Sequence, residues 1–144
     1  MATHSDLLSK VLKAISIVKK RVKKSRLKNP QKQNSIQDYP AVVVACGYSR
    51  SYSVFWDESK SPRNKRFNFN IHRRLIKIAP VGTKEPHSGN IIGACAEPHA
   101  ADKVLKKFPG CHMRELEFSD AYRPRTSQRV KYCYTCKQVF NEVL

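Results

Sequence analysis

The chain is short of acid. It carries 11 Asp and Glu against 28 Lys and Arg, a formal net charge of +17 at pH 7 over 144 residues. It also lacks a long apolar run. No stretch approaches the length that spans a bilayer, and the N-terminus has no apolar segment of the secretory kind. Neither a membrane span nor classical secretion is expected. Cytoplasm, nucleus and delivery as an effector by another route all stay open. An even cysteine count is missing too. The five cysteines are Cys46, Cys95, Cys111, Cys133 and Cys136. An odd number without a secretory signal argues against a disulfide framework. No internal repeat is visible. A hydrophobic content of 40% argues against wholesale disorder, and the length suits one compact domain with a modest core.

The excess of cations points to a polyanionic partner. Lys and Arg release the counterions condensed on phosphates, and a basic folded domain is the usual footprint of nucleic-acid binding. A solubilising surface and affinity for anionic lipid are the plainer alternatives.

Residues 5 to about 26 read as an amphipathic helix. Leu7, Val11, Ile15, Val18 and Val22 recur at three- and four-residue spacing and form one stripe. Ser5 is the expected N-cap, with Asp6 favourable in the first turn. The run Lys19 to Lys28 is a packing helix with phosphate contacts, a nuclear-import patch or part of a transit peptide; Asp6 and the excess of Lys over Arg weigh against the last. Asn29 to Asp38 is a polar linker. Ala41 to Gly47 is apolar and β-branched, and Ser51 to Trp56 alternates, so the two are expected to form a hairpin. Arg66 to Ile71 and Arg73 to Pro80 alternate as well and predict one or two further strands. Val81 to Asn90 is a loop rich in breakers. A helix is expected from about Cys95 to Lys107, stopped by Pro109 and Gly110. Arg114 to Asp120 is a strand candidate, Ala121 to Tyr132 a basic loop, and Cys133 to Glu142 a last helix. Strands and helices in this order predict an α/β fold, a mixed sheet with helices packed on it.

Chemistry concentrates at two helix starts. A cysteine binds metal as a thiolate, and a helix N-terminus favours the thiolate. Cys95 sits at one such start. Cys133 and Cys136 sit at another, with the i,i+3 spacing that lets both reach one ion. Three protein ligands leave one tetrahedral position open, as in a catalytic zinc site. Glu97 is the carboxylate beside them, placed to move protons. Pro98 is tolerated because the first helical turn owes no N–H. A closed structural zinc with Cys111 or His112 as fourth ligand and a redox C-x-x-C are the competing readings. Cys46, inside an apolar run, is expected to be core, as are Phe67 and Phe69. Trp56 reads equally as core or contact.

Cys95-Ala96-Glu97-Pro98 followed by Cys133-Tyr134-Thr135-Cys136 resembles the paired signature of the zinc-dependent nucleoside and nucleic-acid deaminase superfamily. The small, basic domain is most similar to the deaminase domains of bacterial polymorphic toxins. The resemblance covers about residues 37 to 144. It divides the chain into a basic N-terminal helix and linker, 1–36, and a deaminase-like catalytic domain, 37–144. It implies the three-layer cytidine deaminase fold with about four to five strands, zinc held by Cys95, Cys133 and Cys136, and Glu97 as general acid and base. It also implies conversion of cytosine to uracil in nucleic acid, DNA ahead of RNA. An immunity protein is a further partner if the chain is a toxin. Tyr132 stands where the family has proline before C-x-x-C, and thirty-six positions separate Glu97 from Cys133. With Leu144 ending the chain, the sheet is expected to be completed from residues 66–71 or 73–79.

Loops of that family on this side of the site line the base pocket, which makes His87, Asn90 and Ala96 substrate candidates. The corresponding loop before the second motif reads flanking nucleotides, which adds Tyr122, Arg123, Arg125 and Tyr132. Aromatic and arginine side chains there suit stacking and phosphate contact. Solvated surface residues are the alternative at each. Two other functions stay open: deamination of a free nucleoside or small metabolite, and a zinc-stabilised nucleic-acid-binding module without catalysis.

Overall fold

A computed structural model describes residues 1–28 and 38–144. The linker expected at Asn29 to Asp38 lies, apart from Asp38, outside the described residues. The order is α1 (His4–Lys28), β1 (Val43–Tyr48), β2 (Val54–Glu58), α2 (Phe69–Ile76), α3 (Ala96–Lys107), β3 (Leu116–Phe118), β4 (Ala121–Tyr122), β5 (Arg129–Val130) and α4 (Tyr134–Val139). The five strands form one sheet, ordered β2-β1-β4-β5, with β3 also on β1. Every strand pairing in it is antiparallel. The mixed sheet expected from the sequence is therefore an antiparallel one.

β1 organises the molecule because both its faces are apolar. Val43 and Ala45 point to one side, where Leu7, Val11, Ala14, Ile15, Val18 and Val22 of α1 cover them. Val44 and Cys46 point to the other side and join a larger core with residues of α2, α3 and α4. The alternation of a strand thus separates the helices into two layers, one on each side of the sheet. Cys46 is core, as expected. No helix among the described residues is long and apolar enough to cross a membrane.

α1 starts one residue earlier than the sequence suggests. Thr3, not Ser5, caps it: the Asp6 N–H donates to Thr3 Oγ1 at 3.1 Å, and the Thr3 N–H donates back to Asp6 Oδ2 at 2.8 Å. The two groups satisfy each other, as in a capping box.

The strands expected at 66–71 and 73–80 are not strands. Residues 69–76 form α2, which Asn68 caps through its side chain to the Asn70 N–H at 2.9 Å. The true spacing is Phe67, Ile71, Leu75, four residues apart, and all three are buried. Alternation placed Phe69 on the same face, yet Phe69 is 72% exposed and lies outside the core. The basic loop expected at Ala121 to Tyr132 contains the short β4–β5 hairpin, which completes the sheet in place of residues 66–71 or 73–79. Tyr122 accordingly lies on a strand, opposite Val43. The strand candidate at 114–120 is a 3-10 turn, Met113–Glu115, followed by β3. Between β3 and β4, Ser119 keeps the ladder closed. Its Oγ accepts from the Ala45 N–H at 2.9 Å, and its own N–H donates to the Ala45 carbonyl at 2.9 Å. The last helix stops at Val139, short of Glu142.

α3 is fastened by a buried carboxylate. Asp102 accepts from Lys65 and Lys106, both at 2.7 Å, and from the Asn68 N–H at 2.6 Å. Burial opposes its charge, but these three donors outweigh burial and hold its carboxyl below the ordinary value. A carboxyl lowered in the fold stabilises it above the unfolded pKa, and that stability is lost as pH falls through the folded pKa. We expect Asp102→Asn to cost about 1–3 kcal/mol at pH 7. In urea titrations, the difference from wild type should shrink as pH drops below the ordinary carboxylate range. A constant difference from pH 7 to pH 3 would contradict the ion-pair account.

Candidate metal centre

Cys95 is the N-cap of α3 and Cys133 the N-cap of α4. Cys136 follows one turn into α4. The two helix starts meet, so that the three sulfur atoms lie within 4.8 Å of one another. Cys95 Sγ and Cys133 Sγ are 3.2 Å apart, and all three cysteines are free. Three close thiols of this kind can hold a metal ion. Among the described residues, Cys111 and His112 are outside this cluster. Cys111 is instead buried, its thiol directed to the His112 carbonyl at 3.5 Å.

Glu97 is 4% exposed and turns inward. The Cys136 thiol donates to its Oε2 at 3.0 Å. Burial raises the Glu97 pKa, opposed by that thiol. The thiols also differ. Hydrogen bonds from Cys136 and Cys95 lower the Cys133 pKa, and the Cys136 N–H adds a donor at 3.4 Å. Burial pushes Cys136 up, and the hydrogen bond to Cys133 pushes Cys95 up.

The loop that delivers Cys95 is built on Gly93. Its φ of +85° is a left-handed value, which glycine adopts without steric cost. A Cβ there would stand 3.1 Å from Pro62 Cβ and 3.2 Å from the Phe67 ring. The Gly93 carbonyl lies 2.8 Å from His99 Nε2 on α3, so the ring ties loop to helix. The Lys60 N–H donates to the Ala94 carbonyl at 2.9 Å and ties the loop to the end of β2. Gly93→Ala should therefore destabilise by about 1–3 kcal/mol and loosen the placement of Cys95. Thermal melts and metal titration check both effects. An unchanged melting temperature would contradict the packing argument.

A cavity of about 360 Å3 opens beside the cluster. Its wall brings together Cys95, Glu97 and Cys133 with three of the candidate contact residues, Asn90, Ala96 and Arg123. The other four candidates are elsewhere. His87 packs against Tyr134 with the rings tilted by 49° and their centroids 5.1 Å apart. Tyr122 packs toward α1 on the opposite face of the sheet. Arg125 is exposed in the hairpin loop. Tyr132 is half-buried and donates its O–H to the Ser119 carbonyl at 2.5 Å. Trp56 also packs on the α1 side, with Lys103 over its ring.

Sequence reasoning missed Val42, Ser59 and Lys131, which also line the cavity. Val42 and Ser59 arrive through the β1–β2 register, which carries no motif. Lys131 had a signal, since it stands two residues before Cys133. Searches with family models, among curated proteins and among solved structures found no match to this chain.

Proposed function

We propose that the chain is a zinc-dependent hydrolytic deaminase acting on cytosine within nucleic acid, DNA ahead of RNA. One observation carries the reading: a buried carboxylate, Glu97, and two of three clustered thiols, Cys95 and Cys133, share the wall of a cavity in a chain of net charge +17. The residues suit zinc. Sulfurs about 2.3 Å from a tetrahedral ion stand about 3.8 Å apart. The separations here, 3.2 Å for Cys95–Cys133 and at most 4.8 Å for any pair, bracket that value. Cys95, Cys133 and Cys136 would be the ligands, and a fourth position would be left for water. Bound there, zinc would supply a Lewis acid that makes water acidic near neutral pH.

The chain's own groups do the rest. Glu97 takes a proton from the attacking water and delivers protons to the ring nitrogen and the departing amine. Water is added, ammonia leaves and uracil remains, with no change of oxidation state. Asn90 offers amide donors and an acceptor to the base or sugar, and Arg123 a cation to a phosphate. The cavity volume falls in the range of small-molecule sites, about 300–1,000 Å3. It suits one nucleotide rather than a stacked duplex, so the target base must leave its stack.

Two other readings are tested at the same time. Ammonia release should be compared on cytosine-rich oligonucleotides, on free cytidine and without substrate. We expect release from oligonucleotides at a kcat/KM at least about a hundredfold above that for cytidine, because a neutral nucleoside gains little from the basic surface. Release from cytidine alone would favour a small-metabolite enzyme. Oligonucleotide binding without release from any cytosine substrate would favour a non-catalytic module.

A further inference from the structure

The direction of α1 across the sheet has a consequence for how substrate docks. Its N-terminus lies at the β1–β2 turn, where the Ala2 N–H donates to the Ser51 carbonyl at 2.8 Å. Its second half lies at the opposite end of the sheet. There Arg21 makes a bidentate pair with Glu58, at 2.7 and 2.6 Å, and Glu58 is the register partner of Val43. That is the end at which Val42 and Ser59 line the cavity. On its other flank, Lys19 Nζ donates to Ser127 Oγ at 3.1 Å. Ser127 belongs to the β4–β5 loop, and the Ser127 N–H donates to the carbonyl of Arg123, a cavity-wall residue. The basic run of α1 is thus placed at the cavity end of the fold, joined to the cavity mouth through the hairpin.

We propose that the C-terminal half of α1, together with the β4–β5 hairpin, is the docking surface for the polynucleotide backbone flanking the target base. Lys20 and Lys24 stand one turn apart, exposed on the outer side of α1. Among the described residues neither has an acidic partner, whereas Arg21 is held by Glu58. Two unneutralised ammonium groups, continued by the exposed Arg125 and by Arg123 and Lys131 at the cavity, make a cationic path that matches a phosphate chain. Anionic lipid is the less suitable partner. The main apolar stripe of α1 is spent on the sheet, and an interfacial helix needs that stripe free for the bilayer. The surface deepens the nucleic-acid reading given above and rests on it for its target base, but its binding can be measured without turnover.

The test uses the full chain and a fluorescent single-stranded oligonucleotide of about 20 nucleotides, as DNA and as RNA. Anisotropy titrations across a salt series compare wild type with two matched pairs, Lys20→Ala/Lys24→Ala and Lys10→Ala/Lys13→Ala. Both pairs remove the same charge from α1, one near the cavity end and one toward the far end. The cavity-end pair should weaken binding about tenfold at 0.1 M salt and reduce the salt slope by about 1.4, or 0.7 per lost phosphate contact. The far-end pair should change affinity by less than about twofold. Equal losses in both pairs would reduce the effect to net charge and overturn the proposal. So would an unchanged affinity in the cavity-end pair. Absence of deamination with the expected binding pattern would sink the proposed reaction and leave the docking surface standing.

Discussion

Glu97→Gln should abolish turnover while leaving the rest of the protein in place. The amide keeps the size of the side chain and loses its ability to hold and release a proton. General acid–base catalysis contributes about 10^2–10^4 in rate, and in the proposed reaction one group serves both proton transfers. We therefore expect kcat to fall by at least about a thousandfold. Zinc content and oligonucleotide affinity should be unchanged, because Glu97 is neither a ligand nor part of the basic surface. Glutamine fills the same buried space, and its amide N–H can donate to a Cys136 thiolate beside it. Melting should then shift only slightly. Loss of metal together with activity would place Glu97 in a structural role instead.

Cys136→Ser carries the second large effect. Cys136 is fully buried at the meeting point of α3 and α4. A hydroxyl is a poor substitute for a thiolate on zinc, and metal affinity in such a site is also folding energy. The variant should lose bound zinc. It should also melt at least about 10 °C lower than wild type, which corresponds to roughly 3 kcal/mol for a domain of this size. Treating wild type with a chelator should reproduce the shift, and adding zinc back should reverse it for wild type alone. Cys46→Ser provides the contrast. That thiol is equally buried but lies outside the metal-competent cluster, so it should lower stability without changing zinc content. A full equivalent of zinc on Cys136→Ser would overturn the ligand assignment.

What the sequence made legible follows from physical period and spacing. The stripe of α1 was readable because five apolar residues repeat at helical intervals over a long segment. The β1–β2 hairpin was readable because apolar β-branched residues and alternation agree. The cysteine cluster was readable because each thiol stands at or just inside a helix start, so two local signals predict one distant meeting. α2 was not readable for the opposite reason. Phe67, Phe69 and Ile71 fit a strand as well as Phe67, Ile71 and Leu75 fit a helix, and the tertiary contact of Asn68 with Asp102 decides between them. The β4–β5 hairpin was hidden in a polar, basic stretch. Its strands are two residues each, and its turn uses Ser127 at a φ of +61° where a glycine would have signalled it. The cavity wall was half visible. Asn90, Ala96 and Arg123 were found near the motifs, Lys131 was passed over although it stands two residues before Cys133, and Val42 and Ser59, delivered by strand register, carried no signal.

The most direct test of the central claim is sequencing of nucleic acid exposed to the purified protein. Wild type and Glu97→Ala would be incubated with single-stranded DNA, duplex DNA and RNA in parallel. The account predicts cytosine-to-thymine reads on at least one substrate with wild type and none above background with the variant. Unedited reads on all three from protein that holds a full equivalent of zinc would contradict it.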